Sequence, residues 1–166
     1  MNYIVFLDAS TLILLAKTDL LPILTERNEL HISFTVNQEV LFKPERYDAQ
    51  MIERLIGEER LHVTDDEPAH HVRRICQDFN LDKGEVASLL LARKYNAPIG
   101  TDDGVAIKAA KIMGIPFFTA IHVLIELSQK RRIPKELVLA KVDLLGQVGR
   151  YSRSILDHAR SRVEGR

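Results

Sequence analysis

The stretch that decides the fold is YIVFLDASTLILLA, residues 3–16. Its first five residues form a continuous apolar run, which is typical of a β-strand covered on both faces. Asp8 follows this run directly, and Ser10 is predicted to be the N-cap of a helix that begins at Thr11. A strand, an acidic residue and a helix in this order predict a unit whose carboxylate lies at the carboxyl end of the strand.

The same alternation of apolar runs and helical patterns continues along the chain. Further strands are predicted at residues 30–33, 61–63, 98–101 and 115–118, and helical spacing of apolar residues separates them. Because parallel strands need crossover connections, this alternation predicts a parallel sheet. We therefore expect a three-layer α/β/α sandwich with a central parallel sheet over residues 1–133. Residues 134–166 are predicted to form a C-terminal helical extension packed on the same domain.

Composition restricts the class of protein. Hydrophobic residues make up 46% and charged residues 28% of the 166 positions, which is typical of one globular domain. No apolar run reaches about 18 residues, and the first residues lack the basic segment of a signal peptide, so we expect neither a membrane span nor secretion. The single cysteine, Cys76, is typical of a reducing, cytoplasmic setting.

The net charge is zero, but the charges are unevenly distributed. Residues 1–127 carry 13 basic and 19 acidic groups, whereas residues 128–166 carry 10 basic and 4 acidic groups. A basic segment beside an acidic body can attract a polyanion, but a solvated basic helix that pairs with acidic surface has the same composition. Lys130-Arg131-Arg132 likewise leaves open a contact with phosphates or a solvated helix end.

Five acidic residues fall where a parallel sheet places its ligands. Asp8 follows the first predicted strand, Asp102 and Asp103 follow the fourth, and Glu39 and Glu85 lie on helices. Because the carboxyl ends of parallel strands share one edge, these side chains can converge in one pocket. Crowded carboxylates need a shared proton or a bound cation. Oxygen ligands without thiolate or paired histidine favour Mg²⁺ or Mn²⁺, which can bind phosphate oxygens and activate water.

Four of these acidic residues also have a purely structural interpretation. Asp8 and Asp103 could each cap the helix that follows. Glu85 stands three residues after Asp82, which is the spacing of a capping box. Glu39 could lie on an exposed helix face. The remaining member of the five has no comparable structural role.

Four motifs, in this order, resemble those of PIN domains. They are VFLDASTLI (5–13), TVNQEV (35–40), LDKGEVASLLLA (81–92) and IGTDD (99–103). The resemblance covers residues 1 to about 130 and implies a Rossmann-like sandwich that acts as a Mg²⁺- or Mn²⁺-dependent endoribonuclease. Within this family the chain is similar to VapC-type toxins. That resemblance also implies a small antitoxin partner, an RNA substrate and a homodimer.

The resemblance also implies roles for individual side chains. The residues assigned to catalysis are Asp8, Glu39, Glu85, Asp102 and Asp103. The metal ligands among them are Asp8, Glu85 and Asp102. The residues that would orient these groups or contact the substrate are Ser10, Thr11 and Thr101. In one departure, Ile107 stands where the family often has an arginine four residues after its second Asp, so no residue is assigned to that substrate contact.

Two other functions stay open at this point. The first is another Mg²⁺-dependent phosphohydrolase, such as a phosphatase with Asp8 as nucleophile, although Ser10 occupies the position where a second Asp is usual. The second is an inactive PIN fold that serves as a binding module. A zinc site at His70, His71 and Cys76 is disfavoured because no second Cys or His pair stands at the required spacing.

Overall fold

The computed structural model describes residues 3–165 and contains a five-stranded, fully parallel sheet. The strands are β1 (Tyr3–Leu7), β2 (Asn28–Ser33), β3 (Leu61–Thr64), β4 (Ile99–Gly100) and β5 (Phe117–Phe118). The helices are α1 (Ala9–Lys17), α2 (Leu21–Leu24), α3 (Phe34–Val40), α4 (Tyr47–Gly57), α5 (Ala69–Phe79), α6 (Lys83–Lys94), α7 (Gly104–Met113), α8 (Ala120–Gln129), α9 (Lys135–Val148) and α10 (Arg153–Glu164). The predicted α/β fold with a central parallel sheet is confirmed. The outermost residues of the predicted domains, 1, 2 and 166, lie outside the described residues.

The strand order β3-β2-β1-β4-β5 puts β1 at the centre of the sheet. The chain builds outward from β1 to β3 and then returns to the other side of β1 to add β4 and β5. The direction of growth therefore reverses between β1 and β4, which pair Phe6 with Ile99 and Leu7 with Gly100. At such a switch point the connections that follow the two strands diverge and leave a crevice at their carboxyl ends.

Burial of β1 explains why its sequence is continuously apolar. Val5, Phe6 and Leu7 are 6%, 0% and 0% exposed, although successive strand residues point to opposite faces. Both faces of the central strand are therefore covered, as the sequence predicted. On one face Phe6 belongs to a buried cluster with Val86 of α6 and Ala106 of α7.

Gly100 allows β4 to fit between its neighbours. A Cβ atom at this position would lie 2.5 Å from Leu7 Cδ2 and 2.9 Å from Phe118 Cζ. Side chains of β1 and β5 thus occupy the space that any larger residue would need. The glycine lets the chain deliver Thr101 to the edge of the sheet beside the end of β1.

The predicted strands at 98–101 and 115–118 are shorter in the structure, with two residues each. Parallel pairing nevertheless extends beyond them, because Phe6 N donates to Pro98 O at 3.0 Å and Ile99 N donates to Pro116 O at 2.9 Å. Proline can accept such a bond but cannot return one, which limits the ladder. Gly114 ends α7 with φ +67°, a left-handed conformation that glycine adopts readily.

Two compact units divide the chain between Phe118 and Thr119. The first contains the sheet and α1 to α7, and the second consists of α8, α9 and α10. Within the second unit, Ile121 N donates to Tyr151 Oη at 3.3 Å, and Gly146 leaves room for Leu156. The division of the chain at 133 and 134, and the packing of the extension on the main domain, stay predictions. Of the helices in residues 3–165, none is long and apolar enough to cross a membrane.

Candidate active site

Asp8 lies at the carboxyl end of β1 and is 1% exposed. Its Oδ1 accepts hydrogen bonds from Ser10 Oγ at 2.6 Å and from Thr11 N at 3.1 Å, and its Oδ2 accepts one from Thr101 Oγ1 at 2.5 Å. Burial raises the pKa of Asp8 from 3.8 to about 6, while the three hydrogen bonds oppose that shift and the charge of Asp102 adds to it. The site thus contains a buried carboxylate that would gain stability from a positive charge.

The prediction that Ser10 caps α1 is wrong, because Asp8 is the N-cap and Ser10 lies inside the first turn. An Asp at the end of a strand can turn the chain and accept the first free N–H of the helix with the same carboxylate. Ser10 Oγ is used differently. It donates to Asp8 and accepts from the backbone N–H of Asp102 at 2.9 Å.

Asp102 follows β4 and is joined to the same network by a second residue of α1. Thr11 Oγ1 donates to Asp102 Oδ2 at 2.5 Å, and Thr11 N donates to Asp8. Ser10 and Thr11 therefore connect Asp8, which follows β1, with Asp102, which follows β4. The structure brings Asp8, Asp102 and all three predicted orienting hydroxyl groups into one hydrogen-bonded group.

Asp103 has the structural role that its position before α7 suggested. Its Oδ1 accepts hydrogen bonds from Val105 N and Ala106 N, both at 2.8 Å. Its own N–H donates to Thr101 Oγ1 at 3.3 Å. Asp103 is thus an N-cap that still borders the site, and its charge raises the pKa of Glu85.

Glu85 is both a capping residue and a neighbour of the other carboxylates. Its Oε2 accepts from Asp82 N at 3.0 Å, and Asp82 Oδ1 accepts from Glu85 N at 2.8 Å, which completes a capping box. Burial raises the pKa of Glu85 to about 7, and the charges of Asp82, Asp103 and Asp8 add to the increase. The structural and the functional interpretation of Glu85 are therefore compatible.

Glu39 lies at the margin of this group. It is exposed on α3, but a Cβ atom at Gly84 would lie 2.9 Å from its Oε2, so its carboxylate rests against the start of α6. Burial there raises its pKa, and the charge of Asp82 adds to the effect. Glu39 is thus connected to the site indirectly. The charge of Asp82 acts on both Glu39 and Glu85, and Glu85 is the residue on which the charge of Asp8 acts.

Asp82 is the acidic residue whose place in the site the sequence did not indicate. It was interpreted only as a helix cap, yet its charge raises the pKa of both Glu39 and Glu85. The only signal available beforehand was the Asp82–Glu85 spacing. That spacing shows that two carboxylates share the first turn of one helix, but it does not show which other side chains they face.

The donors present are carboxylate and hydroxyl oxygens, which suit a hard divalent cation better than zinc or copper. Within residues 3–165 no group of three or more His, Cys, Asp or Glu side chains is arranged to hold a metal ion. Mg²⁺ commonly uses one or two carboxylates and keeps several waters. The pair Asp8 and Asp102 fits such a cation in its chemistry. The set of three ligands that includes Glu85 stays a prediction.

Asp8 and Asp102 lie at the ends of β1 and β4, the two strands that flank the switch point of the parallel sheet. This arrangement defines a class of α/β proteins with a candidate cation site. The chain belongs to the PIN-domain family DUF3368, whose model matches residues 4–164. PIN domains are typically nucleases and generally use divalent metal ions, which supports a hydrolase at this coarse level. The predicted resemblance to PIN domains is thereby confirmed.

Two proteins of known structure have a similar fold. The chain is 13% identical to the PilT N-terminus domain protein SSO1118 from the hyperthermophilic archaeon Sulfolobus solfataricus, with a TM-score of 0.51 over 72% of this chain and 89% of that one. It is 20% identical to PAE2754 from Pyrobaculum aerophilum, with a TM-score of 0.56 over 76% and 90% of the respective chains. At these identities the similarity concerns the fold alone. No curated protein sequence matches the chain.

Proposed function

We propose that this protein is a Mg²⁺- or Mn²⁺-dependent endoribonuclease that hydrolyses phosphodiester bonds in RNA. The observation that carries the proposal is the link between Asp8 and Asp102 through the side chains of Ser10 and Thr11. A network of this kind holds two negative charges at one edge of the sheet. Such an arrangement costs stability unless a cation or a proton is bound there.

The residues of the site would divide the work as follows. Asp8 and Asp102 would hold the cation, and Ser10, Thr11 and Thr101 would keep both carboxylates in place. When bound, the cation would neutralise charge on the phosphate and lower the pKa of a bound water. Glu85, whose pKa is about 7, would take up a proton near neutral pH. Its Oε2 is engaged by Asp82 N, so the proton would go to Oε1.

The experiment that tests this proposal is RNA cleavage by the purified protein in the presence of Mg²⁺, Mn²⁺ or EDTA. Asp102→Asn is the test variant, and Glu53→Gln, which changes an exposed acidic residue on α4, is the matched control. We expect metal-dependent cleavage that Asp102→Asn abolishes and Glu53→Gln preserves. Absence of cleavage on varied RNAs, together with absence of Mn²⁺ binding by calorimetry, would favour an inactive binding module instead.

We further propose that the nuclease is a cytoplasmic toxin of a toxin–antitoxin pair and forms a homodimer. Phe34, Phe42 and Tyr47 support a protein partner, because they are large apolar side chains that are 46%, 80% and 57% exposed. Light scattering after size exclusion would determine the oligomeric state. Growth arrest by the wild-type protein, but not by Asp102→Asn, would support the toxin role, and normal growth with both would argue against it.

A further inference from the structure

The second unit contains a pocket of about 460 Å³ where α8 is followed by α9. It lies at the carboxyl end of α8 and at the start of α9, and one residue of α10 completes it. Its lining residues are Ser128, Arg131, Arg132, Ile133, Pro134, Lys135 and Val163. Three of these seven carry a positive charge and none carries a negative charge, so the lining favours an anion over a cation.

The three cations of the pocket differ from other basic residues of the same unit. Arg131, Arg132 and Lys135 are exposed, and among the described residues no ion pair joins them to a carboxylate. By contrast, Lys130 pairs with Glu126, and Arg160 pairs with Asp143 at 2.6 Å. Within residues 3–165 the charges that line the cavity therefore have no internal counter-charge of the kind that Lys130 and Arg160 have, and they can bind an external anion.

The backbone fixes two of these cations on one tight turn. Arg131 N donates to Ser128 O and Arg132 N donates to Leu127 O, both at 2.9 Å, which is the hydrogen-bond pattern of a Schellman motif. Arg131 occupies its left-handed position with φ +51°, where glycine is usual. An arginine therefore stands where the backbone alone would favour a residue without a side chain.

The start of α9 adds to the positive potential of the pocket. Pro134 is the N-cap and makes no side-chain capping bond, so the helix begins without a side-chain acceptor for its first N–H groups. The positive end of the helix dipole lies at this terminus. Two guanidinium groups, one ammonium group and a helix start thus converge on the same opening.

We propose that this pocket binds a backbone phosphate of an RNA strand, as a second contact outside the carboxylate site; this inference rests on the proposed function. Arginine and lysine are the side chains that neutralise backbone phosphates, and arginine can do so with two parallel hydrogen bonds. The three cations are exposed, so a strand can reach them from the surface. Because a contact to the phosphate backbone carries no information about the bases, we expect this contact to be independent of sequence.

The test compares two triple variants that remove the same number of charges. Arg131→Gln, Arg132→Gln and Lys135→Gln are combined in one protein, and Arg73→Gln, Arg74→Gln and Arg150→Gln, all at exposed positions, are combined in the control. Both are made in the full chain with Asp102→Asn, which prevents cleavage. Binding of a fluorescein-labelled single-stranded oligoribonucleotide is followed by anisotropy across a salt titration.

We expect the pocket variant to lose at least tenfold in affinity. The slope of the logarithm of the binding constant against the logarithm of salt concentration should become shallower by about 0.7 for each lost phosphate contact. The control should lose clearly less. An equal loss in both triple variants would overturn the proposal, because it would mean that only net charge matters. Loss of binding to a nucleoside monophosphate, with RNA binding unchanged, would also overturn it.

Two further measurements keep the result interpretable. Arg131→Gly suits the left-handed backbone at that position, so it removes the charge without a folding penalty and should weaken RNA binding in the same direction. The proposed function is tested separately by cleavage with the unmodified protein. Failure of cleavage with pocket-dependent RNA binding intact would refute the nuclease and leave the phosphate site standing.

Discussion

The carboxylates at the end of β1 and β4 and the cations of the pocket beside α8 both concentrate charge of one sign, but the protein treats them in opposite ways. Asp8 is buried and receives three hydrogen bonds from neighbouring hydroxyl and N–H groups, whereas Arg131 and Arg132 are exposed and have no carboxylate partner within residues 3–165. The acidic group is held in one geometry at a cost in stability. The basic group is exposed to solvent. Changes in the first region should therefore have large effects that combine binding with stability, and changes in the second should have small effects that depend on salt.

The largest expected effect is that of Asp8→Asn on catalysis. The amide oxygen can still accept the hydrogen bonds from Ser10 Oγ and Thr11 N, and the NH2 group can donate to Thr101 Oγ1, but the amide has no charge with which to hold a cation. We expect metal-dependent RNA cleavage to fall at least about 1000-fold. Circular dichroism should show an unchanged fold. Activity within tenfold of wild type would remove Asp8 from the site and would end the contrast between the two regions.

The next effect concerns pH and the stability of the metal-free protein. The pKa of Asp8 is about 6 in the fold against 3.8 for the free side chain, so the unfolded chain releases this proton first as pH rises. The contribution of protonated Asp8 is complete below pH 3.8 and is lost as pH rises through about 6. We expect the free energy of unfolding to decrease by up to about 3 kcal/mol from this group.

Urea unfolding in EDTA from pH 4 to pH 8 would measure this loss. Asp8→Asn is the comparison, because the variant cannot titrate at position 8. Glu85 titrates in both proteins, and its pKa is lower in the variant because the charge of Asp8 no longer raises it. The free energy of unfolding of the wild type should fall relative to that of Asp8→Asn as pH rises. A difference that is constant over this range would mean that burial of Asp8 has no such cost.

A smaller effect is expected from Thr101→Val, which removes one hydroxyl group without changing the shape of the side chain. The variant loses the hydrogen bond to Asp8 Oδ2 and an acceptor for Asp103 N. We expect a loss of about 1–3 kcal/mol in stability and a 10–100-fold loss in Mn²⁺ affinity, since orienting groups of metal ligands have effects of about this size. Calorimetry would measure the affinity.

Thr18→Val is the matched control for that variant. Thr18 is also fully buried and is the C-cap of α1. Its hydroxyl group donates to Leu14 O in the last turn of that helix. It should lower stability and leave Mn²⁺ affinity unchanged. A similar loss of Mn²⁺ affinity in both variants would show that the effect arises from general loosening of α1 and not from the orientation of Asp8.

The smallest effect is expected from Arg132→Gln. A single exposed cation without an ion-pair partner contributes to RNA binding only through one phosphate, so we expect a loss of about two- to fivefold at moderate salt that disappears at high salt. Thermal stability should stay within about 0.5 kcal/mol of wild type, because the side chain is exposed. A large loss of stability would show that the pocket is a structural element of the second unit.

The sequence predicted the parallel sheet because β1 is apolar at every position and must therefore be covered on both faces. It also placed Asp8 and Asp102 correctly at strand ends, since the position of a residue after a strand depends only on the local pattern. It misplaced the cap of α1, because Asp and Ser are equally good caps and their choice depends on which hydroxyl groups surround the carboxylate. The role of Asp82 was missed for a similar reason, since its influence on Glu39 depends on how α3 approaches α6.

The pocket was also beyond what the sequence could indicate. Lys130, Arg131 and Arg132 are consecutive and look equivalent in the sequence, yet Lys130 is paired with a residue of its own helix and the two arginines line a cavity. The left-handed turn at Arg131 separates Lys130, at the end of α8, from the two arginines that line the pocket. Pattern and composition report which charges are present, whereas the turn determines which of them face a ligand.

The connection between Asp8 and Thr101 also has a consequence for the order in which the protein is made. The two residues are 93 positions apart, and the contact between Thr11 and Asp102 spans 91 positions. A ribosome therefore exposes Asp8 long before it has synthesised the residues that hold this carboxylate and complete the pair. Contacts over such distances are also slow to form during folding. A nascent or truncated chain that ends before β4 therefore carries only half of the carboxylate pair and cannot assemble this site.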